Sequence, residues 1–110
     1  MMDDGLRHGV RRALIDILSA SPHVERVVLF GSRARGDYRP GSDIDIAVSG
    51  GALTLSELLR LKEQIDETTI PQFVDLVWLE GVDDRRLRRN IEAEGVEWWS
   101  RSRELEGNLP

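Results

Sequence analysis

The sequence contains no cysteine among its 110 residues. This absence excludes disulfides, thiolate nucleophiles and cysteine-based zinc or iron–sulfur sites. The sequence also lacks an apolar run that approaches the roughly 20 residues of a membrane span. Its N-terminus has neither the basic segment nor the apolar core of a secretion signal. We therefore expect a soluble, unprocessed protein of the reducing cytoplasm, without a membrane partner.

An excess of positive charge is missing as well. The chain has 20 acidic and 15 basic side chains and a formal net charge of −5. That balance argues against general nucleic-acid binding, which needs a broad surface of Lys and Arg. Three arginines are nevertheless concentrated in one short stretch, at Arg33, Arg35 and Arg39. They could bind a small polyanion, although solvated loop arginines would give the same pattern.

The length suits a single domain with one core. We assign residues 1–110 to it, with a core over about 5–99 and a flexible tail over 100–110. Apolar residues at helical spacing alternate with runs of period two, which indicates a single α/β layer sandwich. The predicted elements are a helix over 6–18, a strand over 24–30, a turn over 31–36, a loop over 37–41, a strand over 43–48, a helix from about 55, a strand over 73–79, a helix from 83–84 to about 95 and a short edge strand over 96–99.

Carboxylates lie on two of the predicted strands. Asp43 and Asp45 alternate with Ile44 and Ile46, so both acids share one face, roughly 6.7 Å apart along the strand. Like charges this close raise each other's pKa or recruit a cation, and hard divalent ions prefer oxygen ligands. Asp75 is the only charge of the later strand, where a buried carboxylate would need a partner. If the strands are neighbours, the three acids could hold two metal ions.

The turn at Gly31 and Ser32 follows an apolar strand and opens a helix. Backbone N–H groups and the positive end of a helix dipole favour an anion there, and glycine lets a phosphate come close. Ser32 is expected to cap this helix and donate its hydroxyl. Serine is also a common N-cap for purely structural reasons, and an isolated Asp-x-Asp is common in strands. Together, the turn and the three acids favour a metal–nucleotide site.

These residues resemble a known family. The run from Gly31 to Ile46, GSRARGDYRPGSDIDI, is similar to the signature of the minimal nucleotidyltransferases of the polymerase-β superfamily. The later segments FVDLV and IEAEGV are similar to its third-carboxylate strand and its C-terminal helix. The similarity covers roughly residues 5–99. It implies a nucleotidyltransferase fold, in which helices pack a small mixed β-sheet like the palm of polymerase β.

The resemblance also implies an activity and its residues. Asp43, Asp45 and Asp75 would be the catalytic metal ligands, for two Mg²⁺ ions or, as an alternative, for Mn²⁺. The nucleotide, ATP, would be contacted by the set Gly31, Ser32, Arg33, Arg35 and Ser42. An acceptor hydroxyl would attack the α-phosphorus and release pyrophosphate, with Asp75 orienting or deprotonating it.

The resemblance further implies a partner. Many family members are MntA-like antitoxins that pair with a HEPN-domain ribonuclease toxin, and a tyrosine of the toxin would receive AMP. The chain is expected to have no acceptor domain of its own, so the partner would bring the hydroxyl. Exposed contact surfaces could be the tryptophan pair Trp98-Trp99 and the arginines Arg85, Arg86, Arg88 and Arg89. Two other functions stay open: an antitoxin that only binds its toxin, and a nucleotidyltransferase of small molecules.

Overall fold

The structure is a computed structural model that describes residues 4–107. Its elements alternate between helix and strand along most of the chain. In order they are α1 (Val10–Ser19), β1 (Arg26–Phe30), α2 (Ser32–Arg35), β2 (Ile44–Ser49), α3 (Leu55–Asp66), β3 (Val74–Trp78), a 3₁₀ turn (Leu79–Gly81), α4 (Arg85–Glu94), β4 (Val96–Ser100) and α5 (Arg101–Gly107).

The four strands form one mixed sheet in the order β3-β2-β1-β4. β1 is antiparallel to both of its neighbours, whereas β2 and β3 are parallel. Since α3 connects β2 to β3, this pair is a strand–helix–strand unit of the kind that parallel neighbours require. The prediction of a mixed sheet packed by helices is confirmed. The strand order places β3 at the edge of the sheet, beside β2.

The first face of the sheet packs against α1 and α3. Alternate residues of the strands point to it, as their period-two pattern predicted. The buried residues of this core are Leu14, Ile15, Leu18, Val24, Val27, Leu29, Ala34, Ile44, Ile46, Val48, Leu53, Leu61, Ile65, Val74 and Trp98. Most of the apolar material of the described chain therefore lies on this face.

The second face of the sheet packs against α4 and has a smaller core. Its buried residues are Val28, Phe30, Ala47, Leu79 and Ile91. Asp84 caps α4, because its side chain accepts hydrogen bonds from the backbone N–H groups of Arg86 and Leu87. Thr54 caps α3, the helix that connects β2 to β3, because its side chain accepts a hydrogen bond from the backbone N–H of Glu57. Both caps agree with the helix starts predicted from the sequence.

The first helix begins later than expected. The apolar spacing predicted a helix from residue 6, but α1 begins at Val10. Gly9, which precedes it, has φ 99° and ψ −25°, a left-handed conformation that cannot continue a right-handed helix. Leu6 still packs against the first-face core without being helical. Leu6 therefore matches the helical spacing because it packs against the core, although it is not part of the helix.

The C-terminal segment is more ordered than predicted. Ser100 is buried in β4, and residues 101–107 form α5, so the expected flexible tail is wrong over 100–107. Arg101 fastens the segment: its guanidinium donates to the carbonyl oxygens of Ser19, Ser21 and Val24. The remaining residues, 108–110, lie outside the described part. A single arginine thus joins the end of β4 to the end of α1.

The two adjacent tryptophans pack on the same face. A register shift in the β1–β4 pairing places Val27 opposite Trp99 and Val28 opposite Glu97, which leaves Trp98 as an extra residue. Trp98 is buried and Trp99 is half-buried, both against the first-face core. Strict alternation would have turned one of them outward.

No helix of residues 4–107 is long and apolar enough to cross a bilayer.

Candidate active site

Two of the predicted site acids are direct neighbours across the sheet. In the parallel pairing of β2 with β3, Asp45 lies opposite Asp75. Both point to the second face, because Ala47 and Val77, two residues further along each strand, belong to its core. Asp43 is exposed just before β2 and is close enough to Asp45 to affect its charge. Asp45 thus lies beside Asp75 across the sheet and within electrostatic range of Asp43.

The electrostatics of Asp45 reflect this crowding. Burial of its carboxyl raises its pKa above the ordinary value of 3.8, and the charges of Asp75 and then Asp43 raise it further. Arg35 opposes the rise but ranks last among the causes. The ionised form of Asp45 is therefore destabilised in the protein alone, and a bound cation would stabilise it.

Asp75 is not buried, contrary to the expectation from its apolar neighbours. It is exposed, because β3 is the edge strand of the sheet. The argument that a buried charge needs a partner therefore does not apply to Asp75. Its exposure instead leaves the carboxylate reachable from solvent, on the side of Asp45 away from β1.

The opposite side of Asp45 is formed by the backbone of Gly31. Phe30 is the register partner of Asp45, and Gly31 directly follows it. Gly31 has φ 74° and ψ −156°, a region that only glycine occupies readily. A Cβ atom at Gly31 would overlap the Asp45 carboxylate. The bare backbone of Gly31 therefore packs directly against the Asp45 carboxylate, and no side chain would fit between them.

Ser32 does not cap the helix, contrary to the prediction. Gly31 is the N-cap and Ser32 is the first helical residue, without a side-chain cap bond. With only four residues, α2 has little dipole, so the anion-binding capacity of this turn comes from its N–H groups and the Ser32 hydroxyl. The carbonyl oxygens face the other way, since that of Gly31 accepts from Ala34 and Arg35.

Arg33 is placed differently from the other predicted nucleotide contacts. Its side chain is buried, at 2% exposure. The guanidinium donates to the carbonyl oxygens of Asp4, Pro40 and Ser42, and it stacks 5.0 Å from the ring centre of Tyr38. With its donors used in this way, Arg33 does not fit a nucleotide contact, and its structural part is to fix the loop that leads into β2.

Arg35 and Ser42 lie around the acids with partners of their own. Arg35 is exposed and pairs with Asp37 and Glu94, which together raise its pKa. The hydroxyl of Ser42 accepts from the backbone N–H of Arg39 at 2.8 Å. Ser42 therefore closes a turn. Both ion pairs of Arg35 are exposed, so solvent screens them.

One neighbour of the site was not found from the sequence. Glu94, at the end of α4, pairs with Arg35 at 3.3 Å although 59 residues separate them. Nothing in local spacing signals this contact. The four arginines of α4 are exposed, as expected, and they are Arg85, Arg86, Arg88 and Arg89. Trp98 is buried and so offers no side-chain surface to a partner.

The donor set suits a hard divalent cation held jointly with a ligand. No group of three or more Asp, Glu, His or Cys within the described residues is arranged to hold a metal ion by itself. The three acids offer only oxygen atoms, and the raised pKa of Asp45 calls for positive charge. Mg²⁺ is typically bound by one or two carboxylates together with substrate phosphates. The site therefore fits a metal ion that arrives with a nucleotide.

Similar proteins point the same way. A Methanocaldococcus jannaschii protein assigned as a protein adenylyltransferase is 41% identical over 59 residues, which are 53% of this chain and 62% of the relative. The chain thus spans less than two thirds of that relative's length.

Two solved structures share the fold. A toxin–antitoxin crystal structure with AMP-PNP is 26% identical, with a TM-score of 0.71 over 88% of this chain and 78% of that chain. A structure of a tri-AMPylated Shewanella oneidensis HEPN toxin in complex with MNT antitoxin is 24% identical, with a TM-score of 0.64 over 87% and 74%. The family described as Polymerase beta, Nucleotidyltransferase matches residues 12–104. By this match over most of its length, the chain belongs to that nucleotidyltransferase family.

Proposed function

We propose that this chain is a metal-dependent nucleotidyltransferase that moves AMP from ATP to a tyrosine hydroxyl of a partner HEPN toxin, and so acts as its antitoxin. One observation carries the proposal: Asp45 lies between the register-matched carboxylate of Asp75 and the bare backbone of Gly31. A triphosphate would be held at the Gly31-Ser32 turn, next to Asp45, while an acceptor would approach from the Asp75 side.

The residues would divide the reaction between them. The N–H groups of the Gly31-Ser32 turn and the Ser32 hydroxyl would hold the phosphates. Asp43 and Asp45 would hold Mg²⁺, or Mn²⁺, with ATP, and the bound metal would neutralise the charge that develops on the phosphates. Asp75 would orient the acceptor hydroxyl and take its proton. The acceptor oxygen then bonds to the α-phosphorus, the bond to pyrophosphate breaks, and pyrophosphate leaves along the Gly31 side.

The partner is supported by the relatives and by the surface. The similar toxin–antitoxin structure holds an ATP analogue, and the archaeal relative is assigned as a protein adenylyltransferase. On this chain, four exposed arginines of α4 offer a positive surface on an otherwise acidic protein, and they are Arg85, Arg86, Arg88 and Arg89. We place the reaction in the cytoplasm, where ATP and an intracellular toxin would both be available.

Mass spectrometry of the toxin tests this function. After incubation with the chain, ATP and Mg²⁺, the toxin should gain the mass of one or more AMP groups. The double variant Asp43→Asn with Asp45→Asn should abolish the gain and the metal-dependent binding of ATP, because amides keep the volume and remove the charge. Asp66→Asn, an exposed acid at the end of α3, is the matched control.

The same experiment separates catalysis from simple binding. A toxin whose mass stays unchanged with both Mg²⁺ and Mn²⁺, yet which is still inhibited, would refute transfer and support an antitoxin that only binds. Retained ATP binding in the double variant would refute the assignment of the acids. Transfer to a small molecule and not to the toxin would refute the proposed acceptor.

A further inference from the structure

An exposed aromatic side chain that belongs to neither apolar core precedes the strand of Asp75. Phe73 directly precedes β3, and 57% of it is exposed, an unusual state for the largest class of apolar side chain. It belongs to neither apolar core. Its backbone is fixed, however, because its carbonyl oxygen accepts from the N–H of Ile44 at 2.9 Å. Phe73 is therefore an anchored residue whose ring faces solvent.

The strand pattern places this ring on the same face as the acids. Val74 packs into the first-face core, so Phe73 and Asp75, on either side of it, belong to the second face. Two residues of one strand face are roughly 6.7 Å apart. The side chains of Phe73 and Asp75 therefore leave the chain on the same face of the edge strand, one repeat apart.

The order of the strands decides which substrate passes this ring. Gly31 follows β1, Asp45 lies on β2, and Asp75 and Phe73 lie at β3. In a displacement at phosphorus the nucleophile and the leaving group lie roughly in line, on opposite sides. If pyrophosphate leaves over Gly31, the acceptor must enter over β3. The nucleoside is attached to the α-phosphorus away from the line of nucleophile and leaving group. Phe73 would therefore lie near the acceptor and not near the leaving phosphates.

We propose that Phe73 forms a subsite for an aromatic acceptor, so that the site prefers a phenolic hydroxyl to an aliphatic one. This inference rests on the proposed transfer of AMP and adds its specificity. A tyrosine ring against Phe73 would adopt the offset or edge-to-face contact that aromatic pairs prefer. Its hydroxyl would then reach Asp75, whereas serine and threonine have no ring to place there. Phe73 is a positioning residue in this scheme, and Asp75 takes the proton.

Acceptor kinetics test the subsite directly. With ATP, Mg²⁺ and the peptide Gly-Tyr-Gly as acceptor, Phe73→Ala should raise the KM for the peptide about three- to tenfold, the range that an aromatic pair supplies. The kcat and the KM for ATP should stay within about twofold, and Phe73→Trp should restore the wild-type KM. Leu59→Ala is the matched control, because Leu59 is also 57% exposed but lies on α3. With Gly-Ser-Gly, Phe73→Ala should change nothing.

Three kinetic results for the Phe73→Ala variant would overturn the inference. They are an unchanged peptide KM in Phe73→Ala, an equal effect on the serine peptide, and a raised KM for ATP, which would make the ring a platform for the base. Transfer to Gly-Ser-Gly as good as transfer to Gly-Tyr-Gly by the wild type would overturn it too.

A binding measurement decides the matter even if the chain transfers no AMP. The sequence has two phenylalanines, and Phe30 is buried at 9% exposure, so ring-labelled protein gives one exposed and one internal signal. With the unreactive α,β-methylene analogue of ATP present, N-acetyltyrosinamide should shift the Phe73 signal and leave Phe30 unchanged. N-acetylserinamide should shift neither. A Phe73 signal that ignores the tyrosine probe, or that moves fully with the nucleotide alone, would overturn the subsite without bearing on transfer itself.

Discussion

The two faces of the sheet are built for different ends. The first face, against α1 and α3, is apolar along the whole length of its strands and carries most of the buried side chains. The second face has apolar residues only in its middle, and its open end carries three acids that repel one another. Because side chains alternate between the two faces of each strand, the residues that stabilise the fold lie mostly on one face, and the acids proposed for catalysis lie on the other. Substitutions on the first face should change stability, and those at the open end should change activity.

The largest expected effect is on the first face. Leu14, on α1, is fully buried, so Leu14→Ala should lower the free energy of unfolding by about 3–5 kcal/mol, through lost transfer energy and the cavity left behind. Urea unfolding measures the change. Leu59→Ala, at an exposed position of α3, should stay within about 0.5 kcal/mol. Leu14→Ala protein that remains folded should transfer AMP at the wild-type rate, and a loss of rate there would break the separation of the faces.

The next effect is on the residue that connects the site loop to the N-terminal segment. Arg33→Met keeps an apolar stem but leaves the carbonyl oxygens of Asp4, Pro40 and Ser42 without their donor. We expect a loss of about 1–3 kcal/mol, because the hydrogen bonds of a charged donor are lost and water can replace only part of them. Arg33→Lys should recover less than half, because one ammonium cannot replace the planar fork. Urea unfolding of both variants measures this, and equal stability to wild type would contradict the structural assignment.

Much of this architecture was readable in the sequence. The strands could be predicted from the alternation of apolar and polar residues. The same alternation placed Asp43, Asp45 and Asp75 on a common face. The helix starts at Thr54 and Asp84 followed from cap chemistry, which acts within three residues. Signals of this range survive in a single sequence because both partners lie in one short window.

What the sequence did not predict depends on contacts between distant segments. The burial of Arg33 depends on Asp4, 29 residues away, and α5 is held by Arg101 against the end of α1. The bulge that turns both tryptophans to the first face depends on the β1–β4 register. The exposure of Asp75 depends on β3 being the edge strand. The apolar letters around Asp75 are the same for an edge strand and a central one, so composition alone could not decide between them.

A smaller stability effect should accompany a large functional one at Gly31. In Gly31→Ala the new Cβ would overlap the Asp45 carboxylate, and the backbone conformation would cost about 1–3 kcal/mol for any other residue. ATP binding, measured by titration calorimetry with Mg²⁺, should weaken at least about tenfold, because the added Cβ would displace the Asp45 carboxylate and distort the turn proposed to hold the phosphates. Gly41→Ala is the matched control in the same region, since nothing lies within 4 Å of its Cβ position. Equal ATP affinity in Gly31→Ala and wild type would remove Gly31 from the phosphate site.

The smallest expected effect has the opposite sign and is the sharpest test of the comparison. In metal-free protein, Asp45→Asn should raise the melting temperature, because it removes a carboxylate that burial, Asp75 and Asp43 all disfavour. Arg35 opposes this effect, and the gain should be no more than about 1 kcal/mol because solvent screens a partly exposed group. The same variant should lose AMP transfer.

The pH dependence of that gain follows from the raised pKa of Asp45. The folded protein holds the Asp45 proton to higher pH than the unfolded chain, so wild-type stability falls as pH rises from about 3.8 through the folded value. Asp45→Asn has no such proton, so its advantage in melting temperature should be absent near pH 3, grow as pH rises and then level off. Saturating Mg²⁺ with ATP should reverse the order, because only the wild type can bind the metal at Asp45 and be stabilised by it. A variant less stable than wild type in metal-free buffer at neutral pH would mean that Asp45 is already paired within the fold, and the second face would then be built for stability as the first one is.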